Sequence, residues 1–233
     1  KETGLRQITE DLRRYPLLHP NIVQFIHYAK EKGHIVGFAT NATKLTEELS
    51  QKLIESKLDY ISFSIDGGTP ETYEKIRKGA SFSAVVQNVK TFCALNQKKG
   101  VDTRVDCILS DLTEPEIDKI CDLWEGVTRV NFIPLDDWAG QITLPDEYGE
   151  KRTPKYENKG LYSRWPCHLL WTTMSVSAEG RYMLCCHDYH FYSKLPFCRE
   201  KSLVDVWQDE IAFFRQKMAI GDYNDLVPCS NCP

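Results

Sequence analysis

The first 135 residues alternate between helical and extended hydrophobic spacing, and that alternation predicts the fold class. Residues 20–32 carry apolar side chains at helical spacing, with Pro20 suited to the first turn and Gly33 to the C-terminal stop. Ile35–Ala39 is a short apolar run of the kind a buried strand needs. Thr46–Ser56 returns to helical spacing, with Thr46 as cap and Leu49, Leu53 and Ile54 on one face. Tyr60–Ile65 predicts a strand that runs into Asp66-Gly67-Gly68. Pro70–Arg77 predicts a short helix and Ser81–Gln97 a longer one. Val101–Leu109 and Arg129–Leu135 predict strands. Between them Thr113–Trp124 predicts a helix, with Thr113 and Glu116 spaced as a capping box. Strands that alternate with helices argue for parallel βα units and an α/β fold.

From Asp136 to Trp165 the pattern dissolves into Gly, Pro, Lys and Glu, which predicts a linker or a loop over a pocket. A cysteine-rich segment follows from Pro166, with one helix expected at Ser202–Lys217. The expected division is therefore 1–135, 136–165 and 166–233. Composition changes this picture little. The chain is 42% apolar and 27% charged with a net charge of −4, ordinary globular values without a nucleic-acid footprint. No apolar run approaches the ~20 residues of a membrane span, and no secretory leader is expected from the residues at Lys1. Nine cysteines without a leader read as reduced thiols and metal ligands, which places the chain in the cytoplasm.

Four of those thiols have a telling arrangement. Cys167 is followed by Gly180, Cys185 and, near the end, Cys229-Ser230-Asn231-Cys232. A Cys-x-x-Cys turn offers two neighbouring corners of a tetrahedral set. Ser177–Arg181 separates two strand-like runs, Thr172–Val176 and Tyr182–Cys185, with Gly180 where a hairpin needs positive φ. Such a hairpin returns Cys185 to Cys167. On spacing alone, a structural zinc ion and an iron–sulfur cluster both suit four thiolates. Cys186 follows Cys185 directly, so on an extended strand it points the other way.

The spacing Cys167, Gly180, Cys185, Cys229-x-x-Cys232 resembles the SPASM/Twitch extension of radical SAM enzymes, nearest to the single-cluster form found in the aminocyclitol dehydrogenase type. Pro16-Leu17-Leu18-His19-Pro20, Thr40-Asn41-Ala42-Thr43, Ser62-Phe63-Ser64-Ile65-Asp66-Gly67 and Tyr73–Arg77 are similar, in order, to strand-end signatures of the radical SAM barrel. The resemblance implies a partial parallel (βα) barrel with a small cysteine-rich domain. It implies S-adenosyl-L-methionine (SAM) held by Thr40, Asn41, Ser64, Asp66 and Arg77. It also implies an auxiliary [4Fe–4S] cluster on Cys167, Cys185, Cys229 and Cys232. The reaction implied is radical oxidation or modification of a small molecule or peptide, with electrons from a flavodoxin or ferredoxin. The family's Cys-x-x-x-Cys-x-x-Cys, which binds a second [4Fe–4S] cluster, is not in the sequence, and Arg13-Arg14-Tyr15 stand where the family places Gly-Gly-Glu. Two readings follow: the sequence is part of a longer enzyme, or the chain is a non-catalytic, metal-binding relative.

Ordinary roles stand beside these. Asn41 suits a turn, bonding its own backbone. Ser62 and Ser64 share a strand face, and within a run of Ile and Phe two inward serines need hydrogen-bond partners. Arg104 and Asp106 either pair with each other or line a substrate pocket. Trp138, Trp165 and Trp171 suit packing of the small domain, and Cys93, Cys107 and Cys121 suit the core. Asp106, His187 and Asp188 are candidate bases by position.

Overall fold

A computed structural model describes residues 7–10, 16–149, 166–222, 225–227 and 229–232. Arg13–Tyr15 and Trp165 lie outside the described residues. The chain divides into two compact units, Lys1–Pro134 with Glu147–Gly149, and Leu135–Asp146 with Glu150–Pro233. The stretch expected as a linker is thus shared between them.

The first unit is built on a five-stranded sheet with strands in sequence order, β1 (Gln7–Glu10), β2 (Ile35–Thr40), β3 (Tyr60–Ser64), β4 (Asp102–Leu109) and β5 (Arg129–Pro134), each parallel to the next. Parallel neighbours joined by right-handed crossovers put every connecting helix on the same face. Those helices are α1 (Ile22–Glu31), α2 (Glu47–Glu55), α3 (Pro70–Ile76), α4 (Phe82–Asn96) and α5 (Ile117–Trp124). They bury Val36, Phe38, Ile61, Phe63, Val105 and Cys107 from the strands against Ile26, Leu53, Val89, Phe92 and Trp124. The opposite face carries the alternate residues. Ser62 lies beside Arg104, and Ser64 beside Asp106, which in turn lies beside Asn131. One face is apolar core and the other a polar row, so the functional face is defined by side-chain parity. Gly37 belongs to this row. A Cβ there would stand 2.4 Å from the Tyr60 ring, so the glycine admits the aromatic beside it.

Most sequence-predicted elements occur within a residue or two of their expected ends. Thr46 caps α2 by accepting from Leu49 N at 3.2 Å. The Thr113–Glu116 capping box does not form. Residues 114–116 make a 3-10 turn, and Thr113 Oγ1 donates to Ile108 O (2.6 Å) and accepts from Ser110 N (2.9 Å). Glu116 turns instead to the loop after β3, accepting from Gly68 N (2.8 Å), Thr69 Oγ1 (2.7 Å) and Thr72 Oγ1 (3.0 Å). It is a long-range cap for α3, which local spacing cannot disclose. The β1 strand is not announced either, since Gln7-Ile8-Thr9-Glu10 has one apolar residue and no period.

Burial works to raise the Glu116 pKa, but the hydrogen bonds from Thr69, Gly68 and Thr72 and the charge of Lys119 outweigh it, and the net shift is downward from 4.5. A carboxylate with a depressed folded pKa contributes stability above its unfolded pKa and loses it as pH falls through the folded value. The urea midpoint of wild type is therefore expected to drop faster than that of Glu116→Gln below pH ~4.5. Parallel pH profiles for the two proteins refute this role.

Candidate functional site: strand ends and a thiol cluster

The C-terminal ends of β2, β3 and β4 set out the polar groups of the first unit. Thr40 ends β2 at 3% exposure, and its Oγ1 accepts from Ala42 N at 3.1 Å. Asn41 Oδ1 accepts from Thr43 N (3.2 Å) and Thr43 Oγ1 (3.0 Å), the turn role its residue type suits. Ser64 ends β3 on the polar face beside Asp106. Asp66, just past the strand, is 3% exposed. It receives Arg77 Nε at 2.7 Å and Nη2 at 2.5 Å, and Ile108 N at 2.8 Å. Asp66 and Arg77 are therefore joined directly, although they lie on opposite sides of α3. A cavity of about 460 Å³ opens at this end of the sheet among Leu17, Asn41, Thr43, Lys44, Lys78 and Ser81, with no acidic residue lining it. Of the five expected SAM residues, Asn41 lines it. An acid-free cavity with two lysines suits a carboxylate or another anion.

Arg104 and Asp106 pair with each other, Nε to Oδ1 at 3.0 Å, as their plainer reading anticipates. Asn131 Nδ2 donates to Asp106 Oδ1 at 2.9 Å and completes the row. Sequence reasoning passed over Asn131. The signal was available in β5, where Arg129 and Asn131 alternate with Val130 and Phe132. Cys107 is fully buried and its thiol is pushed up to about 12, burial being the main cause and the Asp66 charge the next. Cys121, expected in the core, is exposed on α5.

The second unit gathers the other thiols. The hairpin β6 (Ser175–Val176) and β7 (Tyr182–Met183) is antiparallel, with Gly180 at φ +81° in its turn. Its first strand is shorter than expected, because Thr172 closes the helical turn α6 (Leu169–Thr172) by bonding His168 O. The expected Ser202–Lys217 helix is two helices, α7 (Leu203–Gln208) and α8 (Glu210–Ala219). They meet at Asp209, where Lys201 Nζ bonds both Asp209 (2.9 Å) and Glu210 (2.8 Å). Cys167 and Cys229 pack on one apolar core formed by Leu170, Tyr182, Leu184, Leu195, Val206, Ile211 and Met218. Burial pushes the Cys229 thiol up to about 11, and the charges of Cys232 and Cys167 add to it. The Cys185 thiol is raised by a hydrogen bond with Cys186 and by burial, with the charge of Cys229 contributing. Cys232 N donates to Cys229 O at 3.4 Å, closing the Cys-x-x-Cys turn. Among the described residues no three Cys, His, Asp or Glu side chains converge tightly enough to enclose a single metal ion. A tetrahedral zinc with bonds of ~2.3 Å needs sulfurs ~3.8 Å apart. Four thiolates are the donor chemistry of an iron–sulfur cluster as well as of zinc.

The strand ends at Met183, so the alternation rule does not extend to Cys185 and Cys186. Cys186 Sγ lies 3.8 Å from His187 Nδ1, and His187 Nε2 is 2.5 Å from Asp136 Oδ2. Hydrogen bonds from Cys185 and His187 bring the Cys186 thiol down to about 4, while Asp136 and then Cys186 raise His187 to about 10. Asp136 belongs to a loop bound to this segment a second time, through Gln141 Nε2 to His187 O and His190 N to Gln141 Oε1 at 3.2 Å. Trp138 meets the Tyr189 ring edge-on in the same contact, while Trp171 is 41% exposed. Asp188 is fully buried and accepts from Leu184 N (3.3 Å) and Ser193 Oγ, which makes it a loop anchor.

Comparison with known proteins agrees with this division. The radical SAM superfamily model matches residues 14–124, and the model for an iron–sulfur cluster-binding domain, SPASM, matches residues 167–233. The tungsten-containing aldehyde ferredoxin oxidoreductase cofactor-modifying protein of Pyrococcus furiosus is 26% identical over 84% of this chain and 65% of its own length. The mycofactocin maturase MftC of Mycobacterium ulcerans is 25% identical over 58% of this chain and 30% of its own. The chain thus spans less than two thirds of either relative. Among solved structures, Streptococcus suis SuiB bound to its precursor peptide SuiA superposes with a TM-score of 0.68 at 14% identity, covering 90% of this chain and 55% of that one. BtrN in complex with AdoMet and 2-DOIA gives 0.57 at 16% identity, covering 97% of this chain and 72% of that one. These likenesses establish a shared fold. The two domains imply [4Fe–4S] clusters and SAM. The thiol set of the second unit fits an auxiliary cluster. The 233 residues contain no Cys-x-x-x-Cys-x-x-Cys, so none is assigned to a SAM-cleaving cluster. Among the described residues, no helix is long and apolar enough to cross a membrane.

Proposed function

We infer the function from one premise: the chain belongs to the radical SAM superfamily and carries a SPASM iron–sulfur cluster-binding domain. It works as, or within, a radical SAM oxidoreductase that oxidises or otherwise modifies a small molecule or a peptide. The observation that carries this reading is that Cys167 and Cys229 pack on one apolar core, with Cys185 and Cys232 in the same unit, which the SPASM model matches. When bound, SAM and a reduced cluster supply a radical that removes a hydrogen atom from substrate, and the auxiliary cluster takes the electron left behind. The chain's own contribution is binding and enclosure. Lys44 and Lys78, which line the cavity, would hold the carboxylate of SAM, and Thr40 and Asn41 shape the adjoining turn. Ser64, on the polar face, presents a hydroxyl toward the same end, and the Asp66–Arg77 pair fixes the loop beyond it. Asp106 and Asn131 offer acceptor and donor groups for a polar substrate. The thiolates of the second unit hold the auxiliary cluster, and a flavodoxin- or ferredoxin-like protein in the cytoplasm delivers electrons.

A second reading, a metal-binding relative without radical chemistry, is favoured by Arg13-Arg14-Tyr15 standing in place of Gly-Gly-Glu. The full-length natural protein, reconstituted anaerobically with iron and sulfide and given dithionite and SAM, separates the two. The enzyme reading expects bound iron and sulfide in equal amounts, a broad visible absorption, and release of 5′-deoxyadenosine. Cluster without 5′-deoxyadenosine supports the second reading. Zinc in place of iron, with no visible absorption, defeats both cluster assignments.

A further inference from the structure

We propose that Arg215 is a positioning residue for the ligand Cys167, acting through the short helix α6; this rests on the cluster reading above. Arg215 lies on α8, and its guanidinium spans two neighbouring helices. Nε donates to Leu170 O at 2.7 Å and Nη1 donates to Trp207 O at 2.9 Å. The guanidinium carbon stands 3.8 Å from the centroid of the Trp207 ring. Leu170, in turn, is 2% exposed, and its N–H donates to Cys167 O at 3.2 Å. Two hydrogen bonds therefore connect Arg215 to the backbone of Cys167. A planar, pre-organised fork holds two carbonyls at a set angle, which the single ammonium of lysine does not.

A second observation points the same way. Nη2 of Arg215 is buried without a hydrogen-bond partner, and among the described residues no carboxylate pairs with this guanidinium. A buried unpaired donor is destabilising and rare in native proteins. Cys167, Cys229 and Trp207, whose ring Arg215 stacks on, pack on the same core as Leu170. Arg215 touches neither substrate nor ligand side chain. Its effect passes through α6.

The test uses the full chain reconstituted with iron and sulfide. Arg215→Gln, Arg215→Lys, Cys167→Ser and a Cys167→Ser/Cys229→Ser double variant are compared with wild type by chelator challenge and by electron paramagnetic resonance of the reduced cluster. Arg215→Gln is expected to release iron at about tenfold lower chelator concentration and to shift its spectrum toward that of Cys167→Ser. Arg215→Lys should fall between. A wild-type spectrum and chelator resistance in Arg215→Gln overturn the proposal. Should Arg215→Gln fail to fold, Arg215→Lys decides: a wild-type spectrum at a lowered melting temperature assigns the residue to packing alone. Undiminished iron in the Cys167→Ser/Cys229→Ser protein refutes the cluster reading instead, and leaves Arg215 outside the question.

Discussion

Cys229→Ala combined with Cys232→Ala is expected to unlock the second unit while the sheet unit stays folded. The described residues of the second unit contribute seven buried apolar side chains to its core, against twenty-four in the first. Its regular structure consists of a two-residue-per-strand hairpin and three short helices, with the terminal turn at Cys229–Asn231. Elements this short do not stand alone, and a small core supplies only a few kcal/mol. Metal ligation by thiolates supplies on the order of 10 kcal/mol in comparable small domains. Removing two ligands at once takes away most of that term and also opens the core, because Cys229 packs in it. Hydrogen exchange should therefore rise across residues 166–222 toward that of an unfolded chain, with α1, α2, α4 and their strands as protected as before. Cys198→Ala, at an exposed thiol, is the control and should leave both units unchanged. Equal protection of the second unit in the double variant and wild type would show that its fold does not depend on the thiols.

How much of this was legible depends on whether the cause is local. Periods of two and 3.6 disclosed β2 to β5 and the helices between them, because each of these elements has an apolar face facing one continuous core. The hairpin turn was legible because Gly180 needs positive φ. Ser62 and Ser64 disclosed the polar face through parity alone. What failed was non-local. Glu116 has the spacing of a local cap, but three donors from the far side of the sheet end outcompete Thr113 for it. Cys186 followed the alternation rule on paper, yet Met183 is the last strand residue and the rule no longer applied. The Ser202–Lys217 pattern contained no breaker, and the break at Asp209 comes with a lysine eight residues earlier in sequence. The ties from Asp136 and Gln141 to the cysteine loop cross some fifty positions and leave no periodic trace. The ligand spacing was legible through resemblance, while spacing alone suits one metal ion and a cluster equally.

Arg77→Ala is expected to destabilise the sheet unit even with no SAM present. The sequence resemblance assigns Arg77 to the SAM carboxylate, but two of its nitrogens are already engaged by Asp66 at 2.7 and 2.5 Å. Asp66 is 3% exposed and also receives Ile108 N, so it ties the loop after β3 to the end of β4. Removing the arginine leaves a buried carboxylate without its counter-charge, a change that costs ~3–5 kcal/mol when both groups are buried. The Arg77 side chain is 31% exposed, so water and salt screen part of the interaction, and about 2–3 kcal/mol is the better expectation. Asp66→Asn should cost a similar amount, since the amide keeps an acceptor for Ile108 N but loses the charge. The double variant should cost less than the sum, with a coupling of about 1–3 kcal/mol. Urea denaturation of the four proteins measures all three quantities. SAM calorimetry on the same proteins then separates structure from binding. If Arg77 acts through Asp66, Asp66→Asn weakens SAM binding nearly as much as Arg77→Ala does. If Arg77 meets the SAM carboxylate with its remaining Nη1, Arg77→Ala weakens binding and Asp66→Asn leaves it intact. An Arg77→Ala protein as stable as wild type would remove the pair from the account of how this loop is held.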